Sequence, residues 1–161
     1  MASEEQPNPN RWPSAREIVA GLGVILSLAF VGYEVRQNTI ALRGQTRDAL
    51  ARAGEEWLMG IAADSSLSAA FRKIETSEPM SSSDSIRVRY GLIALTRHHE
   101  NVYLQVEGGT VDESTLLSYG WKNSGLYMTP FYTSLWPNIR VIVSPGFAQA
   151  HEDAYPNLRS P

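Results

Sequence analysis

Between Glu17 and Glu34 the chain places sixteen consecutive uncharged residues, Ile18 to Tyr33 (IVAGLGVILSLAFVGY). As a helix this run rises ~24 Å, a little less than the ~30 Å hydrocarbon core of a bilayer. Its flanks supply the rest. Ser14-Ala15-Arg16-Glu17 is an S-x-x-E capping box, which starts a helix at Ser14 just after Trp12-Pro13. Arg16 and Arg36 can extend toward headgroups while their stems stay in apolar surroundings. Trp12 and Tyr33 would stand roughly 31 Å apart on a continuous helix, the spacing of two interfacial aromatic belts. The pattern predicts a transmembrane helix over 14–36. Two other readings compete, a buried core helix and a cleaved signal peptide. The aromatic spacing weighs against the first. Glu17 and the lack of an A-x-A site weigh against the second.

The helical signal does not stop at the interface. No proline occurs from Tyr33 through Asp64, and Leu42, Thr46, Leu50, Ala53, Trp57 and Ile61 recur every three or four residues. A helical stalk over 37–64 follows, with Gly44, Gly54 and Gly60 as the places where it could break. Beyond it the spacing predicts a helical domain over 65–153. A short helix over 65–77 comes first, then a long one from Asp84 to about Glu107, ended by Gly108-Gly109. Thr110-Val111-Asp112-Glu113 is a second capping box, expected to open a helix through Trp121 toward Tyr127. Thr129-Pro130 and Ser144-Pro145 each pair a cap residue with Pro at the first helical position, and Pro137 should break or kink the segment between them. Polar tails are expected over 1–13 and 154–161. The fold class is all-α: an N-terminal transmembrane helix continuing into a small helical bundle.

Charge adds orientation. Arg11 and Arg16 precede the span, whereas Arg36, Arg43, Arg47 and Arg52 follow it, so the C-terminal side is expected to be cytoplasmic. The whole chain carries a net charge of −3 with a pI near 5.6. With no basic cluster away from the span, no nucleic-acid partner is expected. Cysteine is absent, which removes disulfides, thiolate metal sites and a cysteine nucleophile together.

Candidate chemistry concentrates on the 84–107 helix. On a helical wheel its apolar residues make two stripes, one of Ile86, Tyr90, Ile93 and Leu104, the other holding Val88, Leu92, Leu95 and Val102. That pattern predicts a helix sandwiched inside the domain. Arg97, Glu100 and Asn101 fall in the first stripe, His99 falls in the second, and His98 points sideways. Buried charges must be paired or they cost several kcal/mol each, and Arg97 with Glu100 can pair across three residues. One reading makes this a structural cluster tying the helix to its neighbours. The other makes Tyr90, Arg97, Glu100 and Asn101 the floor of a pocket for a small polar ligand, with Arg97 clamping an anion and Glu100 a base. Adjacent His98 and His99 point ~100° apart and cannot chelate one ion from one face, so no metal is expected. Phosphate-loop, dinucleotide, G-x-S-x-G and H-E-x-x-H motifs are absent, and no cofactor or catalytic set follows. Gly23 and Ser27 form a small-xxx-small pair that can favour helix association in lipid. Trp57, Trp121 and Trp136 read as core or interface anchors.

The string from Gly23 to Thr39 (GVILSLAFVGYEVRQNT), followed by Ala41 to Gln45 (ALRGQ), resembles a group of uncharacterised bacterial proteins. These carry an N-terminal span of the form S-L-x-F-V-G-x-x-x-R-Q-N-T and then a helical domain. Arg97, Glu100, Asn101, Tyr103 and Gln105, followed by Gly108 and Trp121, are similar to a later stretch of the same group. The resemblance covers about residues 18–125. It implies a single-pass protein of the bacterial inner membrane, and it brings no activity with it. Together these features lead to a membrane-anchored binding or scaffold protein. It would be an accessory subunit of a membrane complex or a homo-oligomer joined through its membrane helix. A tethered ligand-binding or enzymatic domain is the alternative.

Overall fold

The structure, a computed structural model, describes residues 14–159. Trp12, Arg11 and the expected 1–13 tail lie outside the described residues. No strand occurs among the described residues, and the fold is all-helical. Six α-helices follow in order: α1 (Ala15–Ala63), α2 (Ser65–Thr76), α3 (Ser82–Glu107), α4 (Glu113–Ser118), α5 (Pro130–Arg140) and α6 (Pro145–Ala154). Short 3-10 turns at Trp121–Asn123, Gly125–Met128 and Pro156–Leu158 complete them. The chain divides into two compact units between Leu42 and Arg43.

The first unit is the opening part of α1. Its start is the capping box read from the sequence: Ser14 N–H donates to Glu17 Oε2 at 2.6 Å, and Glu17 N–H to Ser14 Oγ at 3.4 Å. This is the one described helix long and apolar enough to cross a membrane. Its best 18-residue window has a mean hydropathy of 2.0, and none of that window is buried in protein. The hydroxyls on it are satisfied within the helix, Ser27 on the Gly23 carbonyl (2.8 Å) and Thr39 on that of Val35 (2.8 Å). None of the glycines on the stalk breaks α1, which runs to Ala63.

The second unit is built around α3. Helix α2 is capped by Asp64, which accepts from Ser66 and Leu67 N–H, and ends at Ser77 in the left-handed region (φ 57°). Ser81 then caps α3 in a capping box with Asp84. The helix thus opens ahead of the expected Asp84, because Asp84 serves as the third residue of the box. Lys73 pairs with Asp84 at 2.7 Å and locks α2 to α3. Close approach of α2 and α3 depends on Gly91. A Cβ there would meet Phe71 Cζ at 2.8 Å, and its carbonyl accepts the Trp57 indole N–H at 2.9 Å.

Four expectations change, the last of them the break or kink expected at Pro137. Helix α3 is not sandwiched: Val88, Leu92, Leu95 and Val102 are buried, whereas Ile86, Tyr90 and Leu104 face outward, Tyr90 at 67 % exposure. A wheel finds both stripes but does not reveal which has a partner. The Thr110-Val111-Asp112-Glu113 capping box does not form, since Asp112 takes the cap position without a side-chain cap bond, and the helix stops at Ser118, because Gly120 takes φ 71° and turns the chain into successive 3-10 turns. The expected C-terminal tail is drawn inward, with Tyr155 and Leu158 buried. Helix α5 runs through Pro137 to Arg140. The core is unusually aromatic. Trp121, Trp136, Tyr127, Tyr132, Tyr155 and Phe147 are all buried, each ring contributing about 2–3 kcal/mol on removal from water.

Candidate functional site

At the centre of the second unit the aromatic core holds a hydrogen-bond chain whose direction is fixed at both ends. The Trp121 indole can only donate, and it donates to His151 Nδ1 at 2.8 Å. The proton of the neutral ring therefore sits on Nε2, which donates to the Tyr132 hydroxyl at 3.0 Å. That hydroxyl donates to Thr96 Oγ1 at 2.9 Å, and Thr96 donates to the Leu92 carbonyl at 2.8 Å. His99 is fixed in the same way. Tyr119 offers only a carbonyl, 3.3 Å from Nε2, so Nε2 carries the proton and Nδ1 accepts from Tyr127 at 2.6 Å.

Protonating His151 would set a second N–H against the Trp121 N–H, an obligate donor, and protonating His99 would bury a charge beside a tyrosine hydroxyl forced to reverse its bond. Burial holds His99 down to about 4, helped by nearby His98, and His151 down to about 3, helped by His99. Burial likewise pushes the Tyr127 and Tyr132 hydroxyls up. These groups stay neutral across the physiological range. The network is a helical bundle's polar and aromatic lock, with its donors and acceptors spent on one another.

The residues singled out on α3 separate. Glu100 is buried, and its Oε1 accepts the Ser144 backbone N–H at 2.5 Å. Since the Ser144 side chain makes no cap bond, Glu100 supplies the anionic cap at the start of α6. Arg97 pairs with Glu100 and donates to the Ile142 carbonyl at 2.9 Å. The pair ties α3 to the 142–144 turn. Asn101 and Tyr90 stand at the surface, and no hydrogen bond brings either one to that pair. Arg16, Tyr33 and Arg36 are exposed on the first unit, as are Gly23 and Ser27, and no atom comes within 4 Å of a Cβ built at Gly23. No group of three or more His, Cys, Asp or Glu residues among the described residues is arranged to hold a metal ion.

What sequence reasoning missed lies beside His98. A cleft of about 420 Å³ opens between the Ala51–Leu58 stretch of α1, the Leu95–His99 turn of α3 and the 119–126 segment. Trp57, Leu58, Leu95, Tyr119 and Leu126 give it apolar and aromatic walls. Apart from His99, its polar side chains are unspent. His98 Nε2 is buried with no partner, and no hydrogen bond holds the side chain of Glu55, Asn123 or Ser124 among the described residues. Burial lowers the His98 pKa, so this imidazole is neutral as well. Gly54 gives His98 its room: a Cβ there would lie 3.3 Å from Nε2 and 3.4 Å from Tyr119 Cε1. The signal available in the sequence was limited to a glycine on the stalk, Gly54, and the sideways-pointing His98, and no local pattern sets the two opposite one another. A second hollow of about 560 Å³ lies over Trp121, but the Lys122 ammonium already stands 5.7 Å from that ring, and the ring is almost wholly buried. Comparison of the chain with protein-family models, with curated proteins and with solved structures finds no match to any of them.

Proposed function

We propose that this protein is a membrane-tethered helical domain that binds a small ligand in the cleft beside His98. The cleft carries the reading. Its volume falls within the ~300–1,000 Å³ range of small-molecule sites, and it combines apolar walls with a few unspent polar groups. The neighbouring His99–Tyr127 and Trp121–His151–Tyr132–Thr96 networks are paired and can hold the walls in place. Binding is favoured over catalysis because no hydrogen bond pairs the Ser124 hydroxyl with a base at the cleft among the described residues. We place the ligand there rather than at Arg97, whose pairing with Glu100 is used in capping α6.

Tethering rests on the uncovered apolar face of α1, far more apolar surface than a water-soluble helix sustains. The span over 14–36 sits in the bacterial inner membrane with the domain in the cytoplasm, as its arginine bias and its resemblance to the uncharacterised bacterial group suggest. A second reading, an accessory subunit that docks on a protein partner, is favoured by the outward face of α3. There Ile86, Tyr90 and Leu104 stand exposed. Alkaline extraction followed by flotation tests the tether: an integral protein stays with the bilayer, and release into the alkaline supernatant would defeat it. For the cleft, an environment-sensitive naphthalene dye titrated into the nanodisc-embedded protein should be displaced by productive ligands. A dye signal unchanged in the cleft-filling variant Leu58→Trp would count against the site.

A further inference from the structure

We infer that the cleft selects protonated amines on a flat apolar body and rejects carboxylates and phosphates. The inference rests on the ligand-cleft reading above and adds the charge and class of the ligand. Among the lining residues the one charged side chain is Glu55, and no Lys or Arg lines the cleft. Glu55 forms no ion pair with any described residue. Its charge reaches the cleft wall, where it raises the pKa of the Tyr119 phenol, second to burial. Both cleft histidines are neutral: His99 donates its one ring proton to the Tyr119 carbonyl and accepts from Tyr127, and His98 is desolvated.

An anionic ligand would therefore enter an apolar cleft with no cation to offset its lost hydration, next to an unpaired carboxylate. An ammonium group meets the opposite situation. It pairs with Glu55 at the mouth, where partial exclusion of water strengthens the attraction over that of a fully exposed pair. The apolar body lies against Trp57, Leu58 and Leu126, and the hydroxyl and amide of Ser124 and Asn123 remain to accept further N–H groups. An amine attached to an aromatic or fused-ring body satisfies all of these at once.

The test uses the full chain in zwitterionic nanodiscs, with empty nanodiscs as blank and a matched pair of probes. These are 2-(1-naphthyl)ethylamine and 1-naphthylacetate, similar in ring system and opposite in charge. The amine should bind about tenfold more tightly than the acid, as a partly desolvated ion pair implies. Glu55→Gln should remove that margin, and Glu55→Lys should turn the preference toward the acid. Glu55 is exposed, so both variants fold. Equal binding of the two probes, abolished together by Leu58→Trp, would overturn the amine selection while leaving the cleft standing. Binding of neither probe would overturn both.

Discussion

His98 and His99 are neighbours in the chain and opposites in the fold. His99 turns inward, where Tyr127 and the Tyr119 carbonyl occupy both ring nitrogens. One residue earlier, 100° around the helix, His98 faces the cleft with a buried Nε2 that nothing meets. The same side chain is thus a rigid structural part in one place and an unspent group in the other. Structural histidines are recognised by paired nitrogens, and groups left unpaired in a concave place are the ones with something still to bind.

The largest effect expected from this contrast is on pH. Folded His99 and His151 stay neutral down to about 4 and about 3, whereas unfolded histidine takes a proton near 6.5. The unfolded chain then binds more protons than the folded one, so stability is full above about 6.5 and falls as pH drops toward the folded values. Each ring contributes a slope of roughly 1.4 kcal/mol per pH unit, about 2.8 for the pair. Urea midpoints measured from pH 7 to pH 4.5 should fall steeply, and in His151→Phe the slope should drop by about half. A flat profile would mean that the rings are accessible to water. Next comes His151→Ala, which empties a buried ring site and leaves the Trp121 N–H unpaired, for a loss of about 3–5 kcal/mol. His98→Ala should cost under about 1 kcal/mol by the same urea assay, since it breaks no bond.

Much of this frame is legible in the chain. The Ser14–Glu17 cap, the Thr129-Pro130 and Ser144-Pro145 starts and the unbroken α1 follow from local chemistry, and local chemistry survives folding. The sidedness of His98 and His99 follows from 100° per residue. Other features depend on contacts that no local pattern encodes. Trp121 and His151 are thirty residues apart and meet only after α6 folds onto the core. Glu100 looks like a partner for Arg97 alone, yet its second oxygen meets the cap residue Ser144, 44 residues later. The Thr110-Val111-Asp112-Glu113 pattern promises a capping box and a long helix, but it cannot show Asp112 taking the cap position or Gly120 turning left-handed.

Glu100 and Gly91 sharpen the comparison at an intermediate scale. Glu100→Gln keeps an acceptor for Ser144 N–H and loses the charge facing Arg97, for about 1–2 kcal/mol. Glu100→Ala leaves both partners unmet and should cost about 3 kcal/mol. Gly91→Ala drives a methyl to within 2.8 Å of a buried Phe71 ring carbon, and overpacking of this kind costs about 1–3 kcal/mol. Thermal unfolding of the three variants should place Glu100→Ala lowest, with Glu100→Gln and Gly91→Ala above it.

The smallest expected change is the most informative about the cleft. Gly54→Ala adds a methyl 3.3 Å from His98 Nε2 and 3.4 Å from Tyr119 Cε1. That is tighter than ordinary contact, but both neighbours are side chains on an open wall rather than rings packed on every side. Alanine also recovers about 1 kcal/mol of helix propensity over glycine within α1. The two contributions nearly cancel, so stability should change by less than about 0.5 kcal/mol, in contrast to Gly91→Ala. If His98 and Tyr119 can give way, amine binding should weaken modestly as the cleft narrows while urea midpoints stay put. A loss of stability as large as that of Gly91→Ala would show the His98 wall to be as rigid as the core, and the contrast between the two histidines would then be one of pairing alone.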